Sequence, residues 1–247
     1  MPSITLDRLR YEIRLARKPL LLAPLALLII VVALVALERA LGQSPARLLL
    51  ATAEMLLPTL AGMLVAATLA NDDALELHLT TLRAYPGTGA LRVATLLAWF
   101  GVLSCLTLGI LAASGMLSLP DFALANPARW VVAQLVWLAP LLALAALGAC
   151  LALLTKSRSA SGALLGGAWL LDLIFVGAIA QTAWLRPALL FPATLVIYPA
   201  THVSRADFMT YWLTTRLDLL GAALLLFLVG WALLHNSESL LKGAIAE

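Results

Sequence analysis

Charge is scarce in this chain. Only 12% of its 247 residues are Asp, Glu, Lys or Arg, about half the share found in soluble domains. A fold wrapped in a solvated polar surface is excluded on that ground. Cysteine is nearly absent. Cys105 and Cys150 both sit inside apolar runs, which excludes a disulfide framework or a cysteine metal centre and reads as two small buried hydrophobes. Histidine is as rare: His78, His202 and His235 all fall outside the apolar runs, and no acid within those runs stands at metal-ligand or protease spacing from them. A metalloenzyme or intramembrane protease is excluded by that pattern. No glycine-rich loop ending in lysine is present, so the chain itself is not expected to hold ATP and Mg in the P-loop manner. Residues 1–18 lack a short apolar core before a small-residue cleavage site, and no removable signal peptide is expected.

What the chain has instead is apolar surface: 63% of residues are hydrophobic and the mean hydropathy is +1.00. Apolar runs of about 20 residues predict a polytopic, all-α membrane protein, a single transmembrane domain over 1–247. The runs place six spans at about 19–37, 48–69, 90–111, 130–154, 160–181 and 217–234. Before the first, Leu6, Leu9, Ile13 and Ala16 share one helical face and Arg10, Arg14, Arg17 and Lys18 crowd the other. That pattern over 4–18 predicts an amphipathic helix lying in the membrane interface. The stretch 182–216 is apolar but broken by Pro187, Pro192 and Pro199. It reads either as a re-entrant or interfacial helical pair capping a translocation path on the outer face, or as an untidy interfacial connection anchored by Trp184, Tyr198, Tyr211 and Trp212.

The net charge of +3 sits at membrane edges, where it attracts anionic lipid rather than nucleic acid. Counting Lys and Arg by side gives ten (Arg8, Arg10, Arg14, Arg17, Lys18, Arg83, Arg92, Lys156, Arg158, Lys242) against five (Arg39, Arg47, Arg129, Arg186, Arg205), with Arg216 at a membrane edge. The richer side carries both termini and is expected to be cytoplasmic. The excess of arginine over lysine suits a GC-rich bacterial genome, hence a bacterial inner membrane.

Two acids lie within spans. Asp172 falls near the middle of the fifth and Glu54 about one and a half turns inside the second. An intramembrane carboxylate is expected to face the bundle interior or a wet cavity, as the lining of a substrate path or as an acid that orders packing. Gly162 and Gly166, with Ala163 and Gly167, form a small-residue face expected to pack tightly within the chain. Pro24, Pro58 and Pro140 lie inside spans.

The longest polar interruption, Asn71–Val93, reads as an organised helix over about 72–84. Asn71 is a candidate N-cap, and Asp72 and Asp73 suit a helix N-terminus. Leu75, Leu79 and Leu82 recur on one face, and Tyr85-Pro86-Gly87-Thr88-Gly89 supplies turn chemistry. A short amphipathic helix between two spans is a docking element. The run Leu75-Glu76-Leu77 behind an acidic break, the turn at Tyr85-Pro86 and the basic Arg92 together resemble the hallmark of permease subunits of type-two ATP-binding-cassette (ABC) exporters. Ala74 stands where that family has glycine, and His78 where it has an apolar residue. The resemblance implies a permease whose cytoplasmic coupling helix sits in a groove of a separate ATPase subunit, which would hold ATP and Mg. It also implies a second permease subunit, identical or homologous, around a central path. On this resemblance Glu76 and Arg83 contact the ATPase, with Asp72, Asp73, Leu75, Leu79, Tyr85 and Pro86 in the same element. Spans of Leu, Ala and Val suit a hydrophobic or amphipathic cargo. The competing classes are a secondary, ion-coupled transporter, which would need several ionisable groups at membrane depth, and a non-transporting membrane assembly factor.

Overall fold

The computed structural model describes residues 6–70, 85–115, 127–192 and 205–235. Among them the chain is helical, with no strand, and six helices are long and apolar enough to cross a membrane. We label them α1 (Leu6–Ala40), α2 (Ala46–Ala70), α3 (Tyr85–Ala113), α4 (Leu135–Thr155, led in by a short helix Pro127–Ala133), α5 (Arg158–Gln181) and α6 (Arg205–His235). The proposed coupling segment, with Asp72, Asp73, Leu75, Glu76, Leu79 and Arg83, lies outside the described residues.

α4 is the central post. In its span 72% of the residues are buried, against 11% in the spans of α1 and α5. α2 and α6 both pack along its length. Small residues make this possible: Ala139, Ala143, Ala145, Ala146, Gly148, Ala149 and Ala152 are all buried. Where helices associate without a hydrophobic driving force, close backbone approach supplies the dispersion that holds them. The closest approach is Gly62 against Gly148. A Cβ on Gly148 would lie 2.4 Å from the Gly62 carbonyl oxygen, and one on Gly62 would lie 2.7 Å from the Leu144 carbonyl oxygen. The expected small face on α5 is not used this way: Gly162 and Gly167 meet nothing within 4 Å, and Gly166 meets only the Met63 methyl. A small-residue pattern supplies the space for close packing but does not select its partner, and here the interior helix takes that place.

Other expectations also shift. The basic lead-in and the first span form one unbroken helix, α1, rather than two elements. Tyr85–Gly89 is not a turn but the opening of α3. Proline in a first helical turn loses no hydrogen bond, because those N–H groups have no partner within the helix. Gly89 is buried there, beside the ends of Leu69 and Leu234, which a Cβ would meet at 3.5 and 3.8 Å, ordinary contact distances. α6 begins at Arg205, three turns before the expected start, and it runs to His235, so that histidine closes a spanning helix. Cys150 is buried, its thiol on the Leu226 carbonyl at 3.0 Å, whereas Cys105 is exposed.

One face of the bundle gathers the end of α2, the start of α3, the α4–α5 turn and the end of α6. Leu69, Ala90, Leu153 and Leu234 line one apolar cavity of about 290 Å³ there. Arg158 Nε donates to the Ala67 carbonyl at 3.1 Å across the same region. Both ends of the segment 71–84 are therefore attached to this face.

Candidate functional site

Toward the other end of the bundle three charged side chains meet. Glu54 and Arg216 are fully buried, and Asp172 is 3% exposed. Each has a local cause in the sequence. Glu54 stands four residues before Pro58, which has no N–H for the Glu54 carbonyl and whose ring crowds it. The helix widens there into a π-helical turn, Thr52–Leu56, inside α2, the kind of interruption that recurs at functional sites. Arg216 shares the buried stripe of α6 with Trp212, Leu219 and Ala223, the spacing of one helical face. Asp172 is carried on α5, whose next turns end at Gln181.

The linking piece is the chain after α5. It leaves Gln181, makes a short 3₁₀ turn at Arg186–Ala188 and folds back so that Leu189, Phe191 and Pro192 are buried. The Leu190 N–H donates to Asp172 Oδ1 at 3.2 Å, and the Leu190 carbonyl accepts from Arg216 Nη1 at 3.0 Å. Asp172 is nine residues before the end of α5, about 14 Å along the helix, so this segment returns well into the bundle. The described part of 182–216 turns back to the level of Asp172, and residues 193–204, with Tyr198 and Pro199, lie outside the described residues. Trp212, a candidate interfacial anchor, is buried inside, while Trp184 is 78% exposed.

Arg216 Nη2 faces Glu54 Oε1 at 3.5 Å, longer than a charge-assisted hydrogen bond at about 2.7–2.9 Å. The pair is thus an electrostatic tie between α2 and α6, which otherwise both pack on α4. Asp172 adds a second carboxylate within Coulombic reach of both partners. Asp172 Oδ2 and Arg216 Nε are buried with no hydrogen-bond partner among the described residues. Two carboxylates and one guanidinium leave the ionised cluster one negative charge in excess. Such a site can bind a proton or a cationic group, or it can part along the Glu54–Arg216 contact when the helices move.

Glu54 and Asp172 are brought together as neighbours of one cluster. Arg216, expected at a membrane edge, is its cation. The signal for it was an arginine at the start of an apolar run with Trp212 four residues before and Leu219 three after. Asp218 was also missed. It is exposed, on the outer side of α6, and has no hydrogen bond or ion pair among the described residues. Leu69 and Leu234 line the same cavity, and fifteen residues back from each stand Glu54 and Leu219, about 22 Å along either helix. Asp218 therefore lies at the depth of Glu54, itself about 12 Å inside the start of α2. Among the described residues no three His, Cys, Asp or Glu side chains gather to hold a metal. No family model, no characterised protein and no solved structure matches this chain.

Proposed function

We propose that this chain is the membrane-spanning permease of an ABC exporter of the type-two kind, driven by ATP hydrolysis on a separate ATPase subunit. One observation carries the reading: α2 holds Glu54 in the buried charge cluster near one end and the attachment of segment 71–84 at the other. A rigid-body tilt of α2, imposed where an ATPase would grip that segment, would strain the Glu54–Arg216 tie at the far end. The close Gly62–Gly148 contact makes α2 and α4 move together rather than slide. Lys156 and Arg158 lie on the face where segment 71–84 attaches, which supports a cytoplasmic side there and a multi-pass inner-membrane protein with both termini on that side. A second permease subunit completes the path.

The test is purification of the chain from its native membrane to see whether a P-loop ATPase associates, followed by ATP-driven efflux from the producing cells. Glu76→Ala and Arg83→Ala should each lower efflux by about tenfold, the effect of roughly 1.4 kcal/mol of lost coupling, with the folded permease still recovered. If no ATPase associates and both variants transport like the parent, the reading fails. The three ionisable groups at one depth favour a second reading, an ion-coupled carrier. That reading requires transport that persists without ATP and collapses with the proton gradient.

A further inference from the structure

The two oxygens of the buried Asp172 carboxyl have different surroundings. Oδ1 accepts from the Leu190 N–H at 3.2 Å, whereas Oδ2 is buried with no partner among the described residues. A buried ionised carboxylate needs donors on its oxygens, and one left short keeps an uncompensated desolvation cost. The cluster holds an unused donor. Arg216 Nε is buried without a partner, and the guanidinium is within Coulombic reach of Asp172. Arg216 instead directs Nη2 at Glu54 and Nη1 at the Leu190 carbonyl. The bond that an ionised Asp172 would make is left unmade.

Other described groups do not supply the missing positive charge. α4 has no charged residue between Leu135 and Thr155, and its Cys150 thiol is on the Leu226 carbonyl. On α5 the other charge is Arg158, fourteen residues before Asp172, about 21 Å along the helix. Asp218 on α6 is exposed and of the same sign. Arg186 in the returning segment forms no ion pair with Asp172. A proton supplies the charge and needs no cavity. Placed on Oδ2, it leaves the Leu190 bond at Oδ1 intact, and a neutral hydroxyl without a partner costs less than an unpaired charge. Two carboxylates sharing a site do not both stay ionised at ease, and a cation beside one of them favours its charged form.

From this geometry we infer that Asp172 is the proton-binding site of the cluster and that Arg216 decides its occupancy. The proton sits on Asp172 Oδ2 while the guanidinium is on Glu54. When the guanidinium turns to Asp172, that O–H breaks and an O–H forms on Glu54. The cluster keeps one proton and one ion pair throughout, so the α2–α6 tie can part without leaving a buried carboxylate ionised and unpaired, the costly state. The inference goes beyond the transport reading and stands whether or not an ATPase associates.

The experiment is infrared spectroscopy of the full chain in phospholipid nanodiscs at neutral pH, in water and in deuterium oxide. A protonated carboxyl has a C=O stretch apart from the amide bands, and deuterium in place of the proton shifts it. Parent minus Asp172→Asn should show one such band, since Asn keeps the acceptor for the Leu190 N–H and lacks the acid. Parent minus Glu54→Gln should show the same loss, because Asp172 is then the guanidinium's one carboxylate in the cluster. An Asp172 that only orders packing would not respond to that change. Aspartate labelled with heavy carbon at its side-chain carboxyl, in an Asp218→Asn background, reads the same site with the cluster untouched, and the band should shift in full. The inference is overturned if Asp172→Asn loses no deuterium-sensitive band, or if the label moves none. A band that survives in Glu54→Gln also overturns it, since Asp172 would then stay protonated whatever Arg216 does.

Discussion

Arg216→Ala is expected to cost about 3–5 kcal/mol of stability, because it removes the only cation from a buried cluster and leaves two carboxylates facing each other. The arginine is fully buried, its Nη2 on Glu54 and its Nη1 on the Leu190 carbonyl. Losing it unties α2 from α6 and the returning segment from α6 in one step. Glu54→Gln should cost less, since Arg216 keeps the Leu190 carbonyl and the field of Asp172. The double variant should lose less than the sum of the two, by about 1–3 kcal/mol, as expected for side chains in direct contact. Unfolding in detergent by added dodecyl sulfate gives all three values. Additivity within about 0.5 kcal/mol would show that the pair is not coupled, and a single Arg216→Ala loss under about 1 kcal/mol would contradict the buried-charge argument itself. On the exporter reading proposed above, the tie parts during the cycle, and Glu54→Gln should change efflux more than its modest effect on stability explains.

Gly148→Ala should be the most damaging glycine-to-alanine change among the described residues. Its Cβ would be placed 2.4 Å from the Gly62 carbonyl oxygen, and that neighbour is backbone, with no rotamer to move aside. Overpacking of this kind costs about 1–3 kcal/mol, and Gly148→Val should cost more. Gly62→Ala should act in the same direction, through the Leu144 carbonyl at 2.7 Å. Once the two helices have parted for one methyl the second has room, so the double variant should fall well short of additive. Gly167→Ala is the control. It meets nothing within 4 Å, and replacing a mid-helix glycine by alanine gains roughly 0.5–1 kcal/mol. Thermal unfolding that ranks Gly148→Ala with Gly167→Ala would refute the close-contact account.

The two predictions also mark where sequence reading stops. The apolar runs located six spans because a bilayer demands about 20 apolar residues per crossing, a length visible in one dimension. Glu54 and Asp172 stood out for the same reason, as charges inside those runs. Arg216 did not, because its run can be taken to begin just after it, and only the contact with Glu54 brings it inside. Pro58, four residues after Glu54, was a sequence signal for the π-helical turn, legible once one asks which carbonyl the proline leaves without a donor. Gly162 and Gly166 carried the expected small-residue spacing, yet Gly62 and Gly148 make the contact.

By itself, then, the sequence determined the class of protein, its all-helical spans and the presence of costly acids within them, because each follows from the composition of a local run against the solvent around it. The tertiary structure alone decided that α4 is the central post, that the chain after α5 turns back to put the Leu190 peptide between Asp172 and Arg216, and that Asp218 at the same depth faces outward. Those are choices of partner. They depend on which helix faces which, and residues such as Glu54 and Arg216, far apart along the chain, carry no local pattern that names one to the other.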